Sequence, residues 1–202
     1  LGASDDDKKD RTNNQIERFL VISKKFDSLI NKPTKKHILN TSGILNFSDF
    51  QFDMVRSGIG LYGFGNHIKF KNSLRPIIAL KTIISQIHKI QKGEHVGYNK
   101  GFKAKNITTI ATLPIGHADG ISRSYGQGKL RVLVNGNLVP TIGNICMDML
   151  MIDVSKIKCN EGDTVTIFDD KNFTADEMGS LVGTISYEIL TSISNRVKRV
   201  LK

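Results

Sequence analysis

The chain has 202 residues, 39% of them hydrophobic and 24% charged, which suits a globular chain with one large core or two small ones and not a disordered one. Its net charge is +10, but the basic residues are dispersed, tryptophan is absent and no nucleic-acid motif occurs, so a solvated basic surface is expected and a nucleic-acid partner is not. No apolar run reaches the roughly 18 residues of a membrane span, the first ten residues do not read as a signal peptide, and Cys146 and Cys159 make no disulfide framework; no membrane association and a cytoplasmic location are expected.

Taken in chain order, Thr12 and Gln15 fit a capping box. Ile16, Phe19, Leu20, Phe26, Leu29 and Ile30 then approximate the apolar stripe of a helix that Pro33 ends. Residues 37–39 read as a short strand, followed by the turn-like Asn40-Thr41-Ser42-Gly43. Ser48 and Gln51 suggest a cap and a short helix through residue 55, and residues 59–62 read as a second strand. Strand, loop, helix, strand is a βα unit. The pattern changes after Asn66. Residues 79–90 are β-branched and roughly alternating, and strands are expected at 107–113, 130–134, 149–154 and 164–168. Asn135-Gly136 is a hairpin signal, because both residues tolerate positive φ. Thr174 and Glu177 form a capping box before a short helix, residues 184–193 suggest another, and 196–201 read as a closing strand. The expected class is α+β, with residues 1–70 as one domain and 71–202 as a second, mostly antiparallel β domain.

The five histidines, His37, His67, His88, His95 and His117, pair with no other ligand at metal-binding spacing, so no metal site is expected. Two loops are candidate phosphate cradles. Asn40-Thr41-Ser42-Gly43 offers hydroxyls and free N–H groups after an expected strand; Arg56-Ser57-Gly58-Ile59-Gly60 sets a cation beside a glycine-rich turn. Each alone is more readily an ordinary turn, and so, taken singly, are Tyr98 after Gly97 and His117 after Gly116; together the two loops point to an anionic ligand. The segment from Gly143 to Val154 is less ordinary, since it keeps Asp148 between Met147 and Met149. A carboxylate there must be paired or hydrogen-bonded, or else face water at an edge turn.

In combination these segments resemble the C-terminal portion of bacterial alanine racemases, which are pyridoxal 5'-phosphate enzymes. The resemblance rests on Asn40-Thr41-Ser42-Gly43, the run from Met54 to Gly63, Val96-Gly97-Tyr98, the run from Leu113 to Gly120, the run from Gly143 to Asp148, and Thr184-Ile185-Ser186-Tyr187-Glu188, in the family's order. It implies the end of a (β/α)8 barrel followed by a β domain. It also implies that the lysine holding the cofactor lies upstream of Leu1, so that this chain alone is expected to be inactive. By the same resemblance Arg56 bonds the pyridine nitrogen, and a guanidinium, always protonated, leaves that nitrogen unprotonated. Thr41, Gly58, Ile59 and Tyr187 match phosphate-binding positions, with Thr41 where the family usually has Ser. Tyr98 matches the base that serves the L-enantiomer, and Met147 the residue whose backbone N–H holds the substrate carboxylate. His117 stands near the substrate pocket where the family usually has Tyr. The implied whole is a homodimer with shared active sites that converts L-alanine to D-alanine for peptidoglycan. Two other readings stay open at this stage: a pyridoxal-phosphate racemase for another amino acid such as serine, and a non-catalytic basic β module that binds nucleic acid or protein.

Overall fold

The computed structural model describes residues 1–65, 68–70 and 73–201, and the chain divides into two units, Leu1–Ile77 and Ile78–Lys202. The first is built on helix α1, Asp10–Ile30, which ends at Asn31 in the left-handed region (φ 48) just before Pro33. Its start corrects the expected capping box. The helix begins a turn earlier, and the hydroxyl of the buried Thr12 donates to the Ala3 carbonyl (2.9 Å) instead of capping. Of the apolar stripe only Ile16 is buried; it packs with Leu39 and Phe47 as the centre of a small core. Helix α2, Thr41–Asn46, follows, with the Asn40 side chain accepting from Gly43 N at its start.

Three expected elements of this unit form differently. Residues 37–39 make no strand, although Leu39 is fully buried. Among the described residues the segment meets its neighbour through one backbone bond, Arg56 N to Leu39 O, with Asp53 N to Lys36 O just before it, too few for a ladder. Ile59–Tyr62 is a turn of 3₁₀ helix, because Leu61 N to Gly58 O and Gly63 N to Gly60 O satisfy the backbone locally. The helix expected through residue 55 stops as a 3₁₀ turn, Ser48–Phe50. Phe52 then leaves the helical region (φ 49), and its ring packs against Phe19 with centroids 5.5 Å apart.

In the second unit, nine strands follow in order: β1 Leu80–Ile83, β2 Gln86–Ile90, β3 His95–Val96, β4 Phe102–Lys103, β5 Thr108–Leu113, β6 Arg131–Val134, β7 Asn137–Ile142, β8 Leu150–Asp153 and β9 Thr164–Phe168. Seven form one antiparallel sheet in the order β1-β9-β6-β7-β8-β5-β2, and β3 pairs with β4. Laid flat, the edges of a seven-stranded sheet would stand roughly 29 Å apart. Yet β1 and β2 are joined through Ile84 and Ser85 alone, which bridge roughly 10 Å at most. The sheet must therefore curl until its edges meet. Ile84 N bonds Asp163 O on one side and Ser85 N bonds Thr112 O on the other. The inward residues Ile84, Leu113, Leu130, Val132, Val134, Leu150, Ile152, Val165 and Ile167 are all essentially buried.

The hairpin from β6 to β7 turns at Asn135 (φ 46) and Gly136 (φ 78), the conformation that dipeptide favours. Two short helices complete the unit, α3 Ala175–Ser180, opened by the Thr174–Glu177 capping box, and α4 Ser186–Ser192. The expected closing strand at 196–201 does not form. Arg196 is drawn into ion pairs, and Arg199 donates to the carbonyls of Ile193, Ser194 and Val197. These side-chain bonds hold the segment irregular. The overall class is α+β, with a mostly antiparallel sheet.

Candidate functional site

In the first unit Thr41 is the hub. It is buried, and its hydroxyl oxygen accepts from Gly58 N at 3.2 Å and Gly60 N at 3.3 Å. Folding the Ser57–Gly60 turn around that hydroxyl requires glycine at 60: a Cβ there would lie 2.9 Å from Thr41 Cγ2. Gly58 is different, since a Cβ would meet nothing within 4 Å. The turn thus leaves open space on its outer side. The Ile59 N–H has no hydrogen-bond partner among the described residues. Arg56 is exposed; its backbone N–H is fixed to Leu39 O at 3.0 Å, and its guanidinium pairs with nothing among the described residues. Thr41, Arg56, Gly58 and Ile59 are therefore brought together by two connections, one through a side chain and one through the backbone.

In the second unit Tyr98 opens a 3₁₀ turn after Gly97 (φ 76), with its side chain 72% exposed. The position of that turn is set by Asn144. The Asn144 amide donates to Tyr98 O at 2.9 Å, and its oxygen accepts from Gln127 Nε2 at 3.1 Å. Asn144 begins the irregular loop that precedes β8. Cys146 points inward against the cluster of Ile90, Val96, Ile110, Ile142 and Met151, whereas Met147 is 59% exposed. The Met147 N–H has no partner among the described residues, while its carbonyl accepts from Ala118 N at 3.0 Å. His117 is exposed on the adjoining turn, and its N–H bonds Cys146 O at 2.9 Å. Tyr98, His117 and Met147 are thus linked through one loop, although nothing in the residues' spacing along the chain showed it.

Asp148 both faces water and is paired. Arg196 reaches it at 2.5 Å and at the same time forks onto Asp119, at 2.6 Å through Nε and 3.2 Å through Nη2. Asp119 is buried and also accepts from Gly116 N at 2.8 Å. The Arg196 hydrogen bond, followed by the Gly116 N–H, holds the Asp119 carboxyl below the usual carboxylate range, against the opposing effect of burial. The two carboxylates raise the Arg196 guanidinium further above its ordinary value. Asn144 and Arg196 are site residues that sequence reasoning missed. Asn144 carried no chemical signal, and Arg196 lies 48 and 77 positions from its partners.

Tyr187 stands half-buried in the first turn of α4. Tyr125, by contrast, is a core residue. Its hydroxyl donates to Met178 O at 3.1 Å, and burial, with the Glu188 charge as a lesser cause, pushes its pKa up to about 12. No helix among the described residues is long and apolar enough to cross a membrane.

Comparison with known proteins gives a consistent result. The family model described as "Alanine racemase, N-terminal domain" matches residues 1–65, and "Alanine racemase, C-terminal domain" matches 77–201. Alanine racemase 1 of Clostridium acetobutylicum is 41% identical over 99% of this chain and 53% of its own length. The solved alanine racemase of Clostridium difficile 630 in complex with cycloserine matches 99% of this chain and 54% of its own, with a TM-score of 0.90 and 35% identity. That of Bartonella henselae, with covalently bound pyridoxal phosphate, has a TM-score of 0.85 and 33% identity over 99% of this chain and 54% of its own. The chain spans about half the length of the curated relatives it matches.

Proposed function

The chain belongs to the alanine racemase family, and from that premise we propose that the polypeptide carrying it interconverts L-alanine and D-alanine with pyridoxal 5'-phosphate as its cofactor. One observation carries the reading. An exposed phenol, Tyr98, and an unpartnered backbone N–H, that of Met147, stand on turns that Asn144 joins.

The residues of the first unit fit the cofactor. The open side of Gly58, the Ile59 N–H and the Thr41 hydroxyl suit a phosphate group. The unpaired Arg56 guanidinium suits a ring nitrogen that accepts a hydrogen bond. Tyr187 is proposed as a further phosphate ligand. When bound, pyridoxal phosphate supplies an electron-withdrawing ring that makes the Cα–H of an attached amino acid acidic.

The chain's own residues then bind and move a proton. The Met147 N–H holds the alanine carboxylate and so fixes which way Cα–H points. Tyr98, with its phenol oxygen deprotonated, takes that proton there to become the neutral phenol when the substrate is L-alanine, and gives the same proton back when L-alanine is formed. His117 flanks the same loop and lines the approach of substrate. The exposure of Tyr98 and Met147 supports a homodimer in which both enter the partner subunit's site. D-Alanine made in the cytoplasm in this way would feed peptidoglycan.

Circular dichroism tests the reading. The complete polypeptide, loaded with pyridoxal phosphate, should bring the ellipticity of an L-alanine solution to zero, and that of D-alanine likewise. Unchanged ellipticity with both would overturn it. Faster loss with serine than with alanine would move the assignment to another amino acid.

A further inference from the structure

The loop that carries Met147 has a firm inner side and an open outer one. Ile145 and Cys146 hold it inward, while Met147, Asp148 and Met149 face outward. The outer tip is tied at three points: His117 N to Cys146 O, Ala118 N to Met147 O, and Arg196 to Asp148. The first two ties come from the 116–120 turn, and that turn is itself held by Arg196 through Asp119. The segment carrying Arg196 also meets it directly, through Ser194 N to Asp119 O at 3.2 Å. Gly116 lets turn and loop approach this closely, since a Cβ there would lie 2.4 Å from both Cys146 O and Met147 O. One guanidinium from the end of the chain therefore locks together the two segments on which His117 and Met147 stand.

Charge gives the same residue a second task. Asp148 follows Met147 directly, so an anion held by the Met147 N–H sits beside a carboxylate. Unpaired, that carboxylate would repel it. Arg196, 2.5 Å away, offsets part of that charge, its single positive charge being shared with Asp119. The Arg196–Asp148 pair is roughly half exposed on both sides, and exposed pairs contribute little to global stability. Its effect is local.

We propose that Arg196 is a positioning residue for the reaction: by bridging Asp119 and Asp148 it holds the Met147 loop in its binding setting and weakens the repulsion from the carboxylate beside it. The part that concerns substrate rests on the function proposed above; the clamp itself does not. Two measurements on the complete polypeptide test it.

The first is hydrogen exchange read by mass spectrometry. Asp148→Asn and Arg196→Gln should each accelerate exchange across residues 144–149 by about tenfold while β5 and β8 stay as protected as before. Unchanged exchange in that segment would overturn the clamp. Asp148→Asn keeps the Asp119 contacts intact, so this arm remains readable even if Arg196→Gln fails to fold.

The second is steady-state kinetics with alanine. Arg196→Gln should raise KM about tenfold or more with a smaller change in kcat, the pattern of lost uniform binding. Adding Asp148→Asn to it should recover part of that loss, because the unpaired charge is then gone. A KM within twofold of the parent, or a double variant no better than Arg196→Gln, would overturn the charge role. Absence of alanine turnover in the parent would count against the proposed function, and exchange would then decide the clamp.

Discussion

Asp119 shows how much one buried carboxylate can organise. It accepts from Arg196 and from Gly116 N while almost wholly out of water. Asp119→Asn keeps the shape but weakens charge-assisted bonds, and should cost about 1–3 kcal/mol of stability in denaturant titration. The pH dependence has a definite sign. The folded value lies below the ordinary carboxylate value, chiefly through Arg196. The contribution is therefore complete above the unfolded pKa and lost as pH falls through the folded one. Acid unfolding of Asp119→Asn should lack this component. Tyr125 has the opposite sign. Its pKa rises from 10.0 to about 12, so its contribution is whole below pH 10.0 and fades as pH climbs to about 12. Tyr125→Phe should remove that alkaline slope, and should cost about 1 kcal/mol by losing the hydroxyl's bond to Met178 O, which keeps only its longer bond from Leu181 N.

At the scale of elements, two glycines separate conformational from steric demands. Gly136 sits at φ 78 with open space around it, so Gly136→Ala should cost only about 1 kcal/mol, the strain of a left-handed alanine. At Gly116 a Cβ would collide with backbone at 2.4 Å. Gly116→Ala should cost more, about 2–4 kcal/mol, and should move the Met147 loop as well. Thermal melts of the two variants would show the order; a reversal would contradict the packing described.

The same contrast explains what could be foreseen. Strands β5, β6, β8 and β9 were legible because alternation is a local signal, and Asn135-Gly136 marked the hairpin turn that leads into β7. Residues 37–39 and 59–62 read as strands from composition, but a strand needs a ladder, and these segments satisfy their backbones with scattered or 3₁₀ bonds. Residues 196–201 failed for another reason, since their arginines bond to groups that are distant in sequence or to local carbonyls. Tyr98, Met147 and Arg56 became candidates only because several motifs occurred together. The links within the second unit, from Asn144 to the Tyr98 turn and from Arg196 to the Met147 loop, are tertiary, and no spacing rule reveals them.

For the molecule as a whole, the proposed labour is divided between two units: Arg56 and Thr41 hold cofactor, while Tyr98 and Met147 handle substrate. If Tyr98 serves the partner subunit's cofactor, two inactive variants should complement. Refolding Tyr98→Phe with Arg56→Ala in equal amounts should restore about a quarter of parental activity, because half the dimers are mixed and each then has one intact site of two. No recovery would place each site within a single subunit.

The central claim is that Tyr98 moves the α-proton of L-alanine. Net racemisation cannot test it, because the enantiomers are equal in energy and both directions must slow together. Exchange of the α-proton with D2O can. In the complete polypeptide, Tyr98→Phe should slow exchange from L-alanine by about 10²–10⁴-fold while exchange from D-alanine continues near the parental rate. Equal loss from both enantiomers, or no loss from either, would contradict the role assigned to Tyr98.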